Sequence, residues 1–469
     1  MYIDSLLFTS DIGNEGEYMK DDLLILTWSF FNKYGNQSFY ESVIGYCESF
    51  NVTIITLANP NENVYYTIEE IEQRIPNVRI IKARTKVIDM AGFVLDRAKS
   101  IGRIFKTKEH ETFKSAEYIK NIHTSALEYS AYIIYRRVLY TKARDLIKKE
   151  NYAPKYICAY ETGGVAPTVL LKKNVIPTAV TFGKFQGTVL GSVLDRLNDP
   201  EIIRMFRIEY HGMQHAKMLD ACIMTNDGTK GKDVLKYFSV GNGNILFITN
   251  GIPNHLGIVK QKLKWSKKPI SAPINLFTLS RFIYWKRVHL AVEIMNVLVN
   301  SLQDFRYQLN IYGIGSNREV KDLEVLIKKY DLKNYVKING EVPFNELFQV
   351  FHENDILLSL YMFSNLCNPV LESMYLSKPI ITILQDDLIE VFKEPNNKLI
   401  LFNETDENEL ITAIAQYLHQ MAIEDVAALT SYCTDDNAKI LTWQDRVKQE
   451  IEFIRSKNRE KVPDHLNRW

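Results

Sequence analysis

The chain has 469 residues, more than a single hydrophobic core usually supports, so two domains are expected. Its 57 Lys and Arg nearly cancel its 56 Asp and Glu, which leaves no global field to recruit nucleic acid. Cys47, Cys158, Cys222, Cys367 and Cys433 lack metal-ligand spacing, and their odd number argues against a disulfide framework, so a reducing compartment is expected. No apolar run approaches the ~18 residues needed to span a bilayer. The first residues, MYIDSLLFTSDIGNEGEYMKDD, are acidic where a secretory signal would be basic. A cytoplasmic protein is expected.

The early chain alternates short apolar runs with amphipathic stretches, the pattern of a doubly wound α/β sheet. DLLILTWS (Asp22 to Ser29) is short enough for a buried parallel strand. The turn after it holds Gly35, Asn36 and Ser38 and opens a helix reaching Phe50. Gly35 is either an ordinary tight turn or a contact to a ligand phosphate. NVTIITLANP and VRIIKAR supply the next strands. Residues 87–150 are helical in pattern and locally basic. They form either a solvated face over a core stripe or a peripheral contact with an anionic membrane surface. YICAYETGG, a helix from Val165 to Lys173, and IPTAVTFGKFQGT follow, placing Gln186 and Gly187 after a strand. The pair His211-x3-His215 lacks the Glu a zinc protease needs after its first His, because that position is Gly212, and no metal site is expected. DACIMTND, a helix over Lys230 to Phe238, and NILFITNGI complete the first domain. The polar, basic stretch HLGIVKQKLKWSKKPISAP has the composition of a connector and places the boundary near residues 253–272.

The second half also alternates. INLFTLS leads into a turn with Arg281 and Lys286 and a helix from Val288 to Leu302. YQLNIYG ends in Tyr312-Gly313-Ile314-Gly315, but Arg318 replaces the third glycine of a dinucleotide fingerprint, which argues against a nicotinamide or flavin cofactor. DILLSLY is followed by an Asn- and Ser-rich turn and by a helix from Pro369 to Leu376 that carries Glu372. Two cations beside helix N-termini suit a diphosphate, and an ionised Glu suits neighbouring hydroxyls. Segments from Glu407 to His419 and from Trp443 to Arg455 read as further helices.

The Arg-x4-Lys pair at Arg281 and Lys286, the strand-Gly-x-Gly-helix unit from Tyr312 to Leu326 and the turn-helix with Glu372 resemble the retaining GT-B glycosyltransferases of the glycogen synthase, sucrose synthase and bacterial mannosyltransferase type. The resemblance implies two Rossmann-like domains facing each other across a cleft: residues 1–255 on the acceptor side, 256–440 on the nucleotide-sugar side, and 441–469 crossing back. It implies that Arg281 and Lys286 meet the leaving diphosphate, that Glu372 holds the donor ribose, and that Gly313 and Gly315 let backbone approach the diphosphate. It further implies donor contacts from Ser364 and from the amides of Asn365, Leu366 and Cys367, with Gln186 and Gly187 toward the sugar.

The chain departs from those relatives at Gln186, where they carry a His, and at Ser364, where they carry the first Glu of a Glu-x7-Glu pair. The implied activity is metal-independent transfer of a hexosyl unit from a nucleotide-diphosphate sugar such as a UDP-sugar to an acceptor hydroxyl, with retention. That donor is a co-substrate, and no cofactor is implied. A glycan, a lipid-linked glycan and a protein remain open as acceptors, with surface polysaccharide or glycoconjugate synthesis as the setting. The rival reading is a catalytically silent homologue that stabilises an active transferase.

Overall fold

The computed structural model describes residues 20–28, 37–57, 71–73, 75, 77–83, 126–254, 256–257, 273–343, 346–392, 398–403, 406–430 and 440–459. Seven parallel strands form the first sheet: β1 (Asp21–Thr27), β2 (Phe50–Thr56), β3 (Val78–Lys82), β4 (Tyr156–Tyr160), β5 (Val180–Phe185), β6 (Ala221–Asn226) and β7 (Ile245–Thr249). Their spatial order is β3-β2-β1-β4-β5-β6-β7. Leu23, Leu24, Ile25 and Leu26 of β1 are all buried, as a strand covered by helices on both faces requires. The second sheet comprises β8 (Ile274–Leu279), β9 (Tyr307–Tyr312), β10 (Val336–Gly340), β11 (Ile356–Ser359), β12 (Ile380–Ile383) and β13 (Leu399–Phe402), in the order β10-β9-β8-β11-β12-β13. Both sheets are doubly wound. Each reverses its winding once, between β1 and β4 and between β8 and β11, and open α/β sheets bind ligands beyond the carboxyl ends of strands at such points.

Gly35, most of the basic stretch 87–150, and most of the connector 253–272 lie outside the described residues. The basic stretch ends in the helix Ala126–Lys149, which buries Ala131, Tyr132, Leu139, Ala143 and Leu146 and leaves Arg137, Lys142, Lys148 and Lys149 exposed. Among the described residues no helix is long and apolar enough to cross a membrane.

The chain leaves the first unit and returns to it along one seam. Ile252 N–H donates to the Leu441 carbonyl at 2.8 Å, and Trp443 N–H donates to the Ile252 carbonyl at 3.1 Å. The returning helix Trp443–Arg459 packs on the helix Gln37–Ser49 through Val447 against Gly45, and reaches β5, β6 and β7. Its anchor is ionic. Glu450, fully buried, accepts from Lys184 Nζ at 2.5 Å, Arg446 Nε at 2.8 Å and the Tyr46 hydroxyl at 2.5 Å. Arg446 also donates to the Thr249 carbonyl, Asn250 Oδ1 and Thr225 Oγ1, so the guanidinium is satisfied by both the sheet and the seam. Asn250 in turn donates to Asn368 Oδ1 at 2.8 Å, which carries the connection into the helix that holds Glu372.

Candidate active site at the carboxyl edges of the two sheets

The loop after β8 supplies the cations. Phe282 N–H donates to the Ile314 carbonyl at 2.7 Å and Ser280 N–H to the Tyr312 carbonyl at 3.0 Å, which pins the loop to the turn after β9. Gly313 makes that contact possible. At φ +136° it adopts a backbone that L side chains rarely reach, and a Cβ there would stand 1.6 Å from the Ser280 carbonyl oxygen. A Cβ on Gly315 would meet the Phe282 side chain at 2.8 Å. The close approach at these glycines is therefore to the Arg281–Lys286 loop itself. Their lack of a side chain lets the turns after β8 and β9 pack closely.

Lys286 is half-buried, with Nζ 3.6 Å from the Tyr361 ring centroid and 4.0 Å from that of Trp285. Trp285 stacks on Phe363 at 4.6 Å, and Met362 N–H donates to the Trp285 carbonyl, so the loops after β8 and β11 form one aromatic platform beneath the ammonium. Burial, with help from the nearby Arg281 charge, pulls the Lys286 amine down to about 8 against the opposing influence of Cys367 and of Asp227 of the first unit. Arg281 is exposed, with no side-chain ion pair among the described residues.

The turn after β11 is more constrained than its sequence suggests. Asn365 is fully buried and clamps the turn, accepting from Tyr361 N–H at 3.2 Å and donating to the Tyr361 carbonyl at 2.8 Å. Its own amide donates to Gln385 Oε1 at 3.4 Å, and the Leu366 amide donates to the Asp227 carbonyl at 3.2 Å. These two amides are engaged, not free as the sequence pattern led us to expect. Cys367 is the N-cap of the helix Asn368–Tyr375, which buries Glu372 at 4 % exposure. Ser364, held at φ +62°, donates its hydroxyl hydrogen to Asp227 Oδ2 of the first unit at 2.9 Å.

On the first unit, Gln186 N–H donates to Glu161 Oε1 at 3.1 Å, Gln186 Oε1 accepts from Thr225 Oγ1 at 3.5 Å, and Nε2 is buried without a partner among the described residues. Gly187 leaves room for Asp227. At φ +114°, a Cβ there would lie 2.3 Å from Asp227 Oδ2. Sequence reasoning missed three carboxylates here. Glu161 begins the helix Glu161–Asn174 at φ +58°, Asp227 follows β6, and Glu209 accepts from the Thr162 and Thr188 hydroxyls at 3.2 and 3.0 Å. The available signal was position, since Glu161 and Asp227 stand immediately after buried parallel strands, on the ligand-facing edge. Burial, then the Glu209 charge, pushes the Glu161 carboxyl up to about 8, and burial pushes Asp227 up to about 6. His215 Nδ1 donates to the His211 carbonyl, and the His211 ring packs against Tyr129.

Burial raises the Glu372 carboxyl to about 7, above its unfolded value of roughly 4.3. A raised folded pKa contributes stability that is fully present below pH ~4.3 and is lost as pH rises through about 7. Glu372→Gln should therefore flatten the decline in melting temperature between pH 5 and pH 8 relative to wild type. An unchanged decline would show that Glu372 is not the desolvated group.

Residues 259–432 match the family model of the glycosyl transferases group 1. The match spans Arg281, Lys286, Ser364 and Glu372. No curated protein matches the chain at the significance required. Among solved structures, the chain is similar to Anabaena Alr3699/HepE in complex with UDP, with a TM-score of 0.60 at 13% identity over 93% of this chain and 100% of that one. Sucrose-phosphate synthase from Thermosynechococcus elongatus gives 0.58 at 15% identity, covering 93% and 98%. TarM gives 0.61 at 12% identity, covering 92% and 98%. These likenesses show the fold: two Rossmann-like parallel-sheet units in the GT-B arrangement.

Proposed function

We propose that the chain is a hexosyltransferase that moves a sugar from a nucleoside diphosphate to an acceptor hydroxyl with retention of configuration. The observation that carries this reading is Lys286, whose half-buried ammonium lies over the Tyr361 and Trp285 rings on the same loop as Arg281. Breaking a sugar–phosphate bond leaves negative charge on the diphosphate. Preorganised cations in a partly dry site stabilise that charge far better than water does. Lys286 acts as a point charge and Arg281 as an exposed fork, so the departing group is met by protein side chains without a metal. Glu372 accepts hydrogen bonds from the donor ribose. The acceptor hydroxyl approaches on the leaving-group face and passes its proton to a diphosphate oxygen.

In this reading residues 1–255 hold the acceptor, 256–440 hold the nucleotide, and 441–469 tie the two together. The family match of residues 259–432 and the fold likeness to a protein in complex with UDP support a uridine nucleotide as donor. The acceptor is a glycan, a lipid-linked glycan or a protein, in surface polysaccharide or glycoconjugate synthesis on the cytoplasmic side. The exposed cations of the helix Ala126–Lys149 support a peripheral contact with anionic lipid. The test is turnover of a panel of nucleotide sugars without acceptor. Slow release of UDP from one UDP-sugar is expected. A chain that neither binds nor hydrolyses any donor would be a silent homologue.

A further inference from the structure

The turn that faces the cleft from the second unit, Ser364 to Cys367, carries no carboxylate of its own and takes one from the opposite unit. Asp227 stands just beyond β6, where its Oδ1 accepts from the Thr229 amide at 3.1 Å and hydroxyl at 2.6 Å, which fixes the plane of the carboxylate. Oδ2 accepts from Ser364 Oγ at 2.9 Å, and the Asp227 main-chain carbonyl accepts from the Leu366 amide. Ser364 is held for this contact at a positive φ that a non-glycine residue adopts only when its surroundings enforce it. Gly187 contributes an absent side chain, so that Asp227 Oδ2 can occupy the space between the units. The Asp227 carboxylate and the Lys286 ammonium act on each other's charge.

The hydrogen-bond inventory of this pair is one-sided. A serine hydroxyl has a single hydrogen, and Ser364 spends it on Asp227. Both oxygens therefore offer only lone pairs to anything else in the cleft. A group bound against them must donate, as sugar hydroxyls do, and an ether or carbonyl oxygen would be left unpaired. We infer that Asp227, together with Ser364, is a donor-specificity determinant that accepts hydrogen bonds from hydroxyls of the transferred hexose, so that the sugar is read jointly by both units while the nucleotide is read by the second alone.

This inference rests on the proposed transfer reaction and deepens it. The test compares affinities for UDP, UDP-glucose and its singly deoxygenated analogues in wild type, Asp227→Ala and Asp227→Asn. Asn retains an acceptor for the Thr229 turn and guards against a folding defect, which thermal melts also report. Asp227→Ala should leave UDP binding within about threefold while weakening UDP-glucose about 10–100-fold, the range for a lost hydrogen bond to a charged group. One deoxy analogue should bind wild type weakly yet be indistinguishable from UDP-glucose in Asp227→Ala, the coupling a direct contact requires. An equal loss of UDP and UDP-glucose would reduce Asp227 to a structural strut, and an undiminished preference for the sugar would also overturn the inference. If wild type binds no nucleoside diphosphate, the transfer reading itself fails and this inference with it.

Discussion

Lys286→Ala lowers turnover of the donor by about 10²–10³-fold, the usual cost of removing one preorganised stabiliser of a charged leaving group. The size follows from the setting of the ammonium. It is half-buried over the rings of Tyr361 and Trp285 and makes no ion pair among the described residues, so its charge is available to a ligand at little reorganisation cost. Arg281→Ala costs less, because an exposed guanidinium is screened by water and salt. The pH dependence has a definite sign. With the Lys286 amine pulled down to about 8, it loses its proton above that pH, and affinity for the diphosphate falls on the alkaline side. Lys286→Arg keeps the charge and should remove that alkaline limb even though its fork fits the site less well. Steady-state kinetics of the three variants from pH 6 to pH 9.5 would show this, and an alkaline limb that survives in Lys286→Arg would assign the titration to another group.

Glu450→Gln destabilises the fold by about 3–5 kcal/mol, the cost of breaking a buried ion pair from one side. The substitution keeps the shape and leaves Lys184 and Arg446, both fully buried, without their shared counter-ion. Burial alone would raise the Glu450 carboxyl, but those two cations dominate and hold it at about 2. A carboxyl depressed in this way contributes stability above pH ~4.3 that is lost as pH falls toward about 2, so wild type should show a steeper acid transition than the variant. Chemical denaturation at pH 7 measures the main effect. A loss below about 1 kcal/mol would mean that water reaches the cluster and that the returning helix is held by Trp443, Val447 and Ile454 alone.

Much of the architecture was legible because parallel strands covered on both faces read as short unbroken apolar runs. DLLILTWS became β1 (Asp21–Thr27), and DILLSLY contains β11 (Ile356–Ser359). The helix expected from Trp443 to Arg455 runs Trp443–Arg459, and that from Glu407 to His419 runs Glu407–Gln420. The helix expected from Val165 instead begins at Glu161, where a positive φ starts the turn directly from the strand and brings Gly163 against Trp28. Local spacing could nominate candidate site residues only within one turn or helix, as for Arg281, Lys286 and Glu372. Glu450 and Lys184 are 266 residues apart, and Ser364 and Asp227 are 137 apart. No local pattern records such pairs. Tertiary packing also gave the turn after β11 a different role, since Asn365 and Leu366 spend their amides on Gln385 and Asp227.

Calorimetric titration of wild type and Lys286→Ala with UDP, UMP and uridine addresses the diphosphate site most directly. Wild type should bind UDP at least tenfold more tightly than uridine, with UMP between them, and Lys286→Ala should lose most of that advantage while retaining its affinity for uridine. Equal affinity for UDP and uridine in wild type, or an undiminished advantage in both Lys286→Ala and Arg281→Ala, would contradict a site in which these cations hold the departing diphosphate.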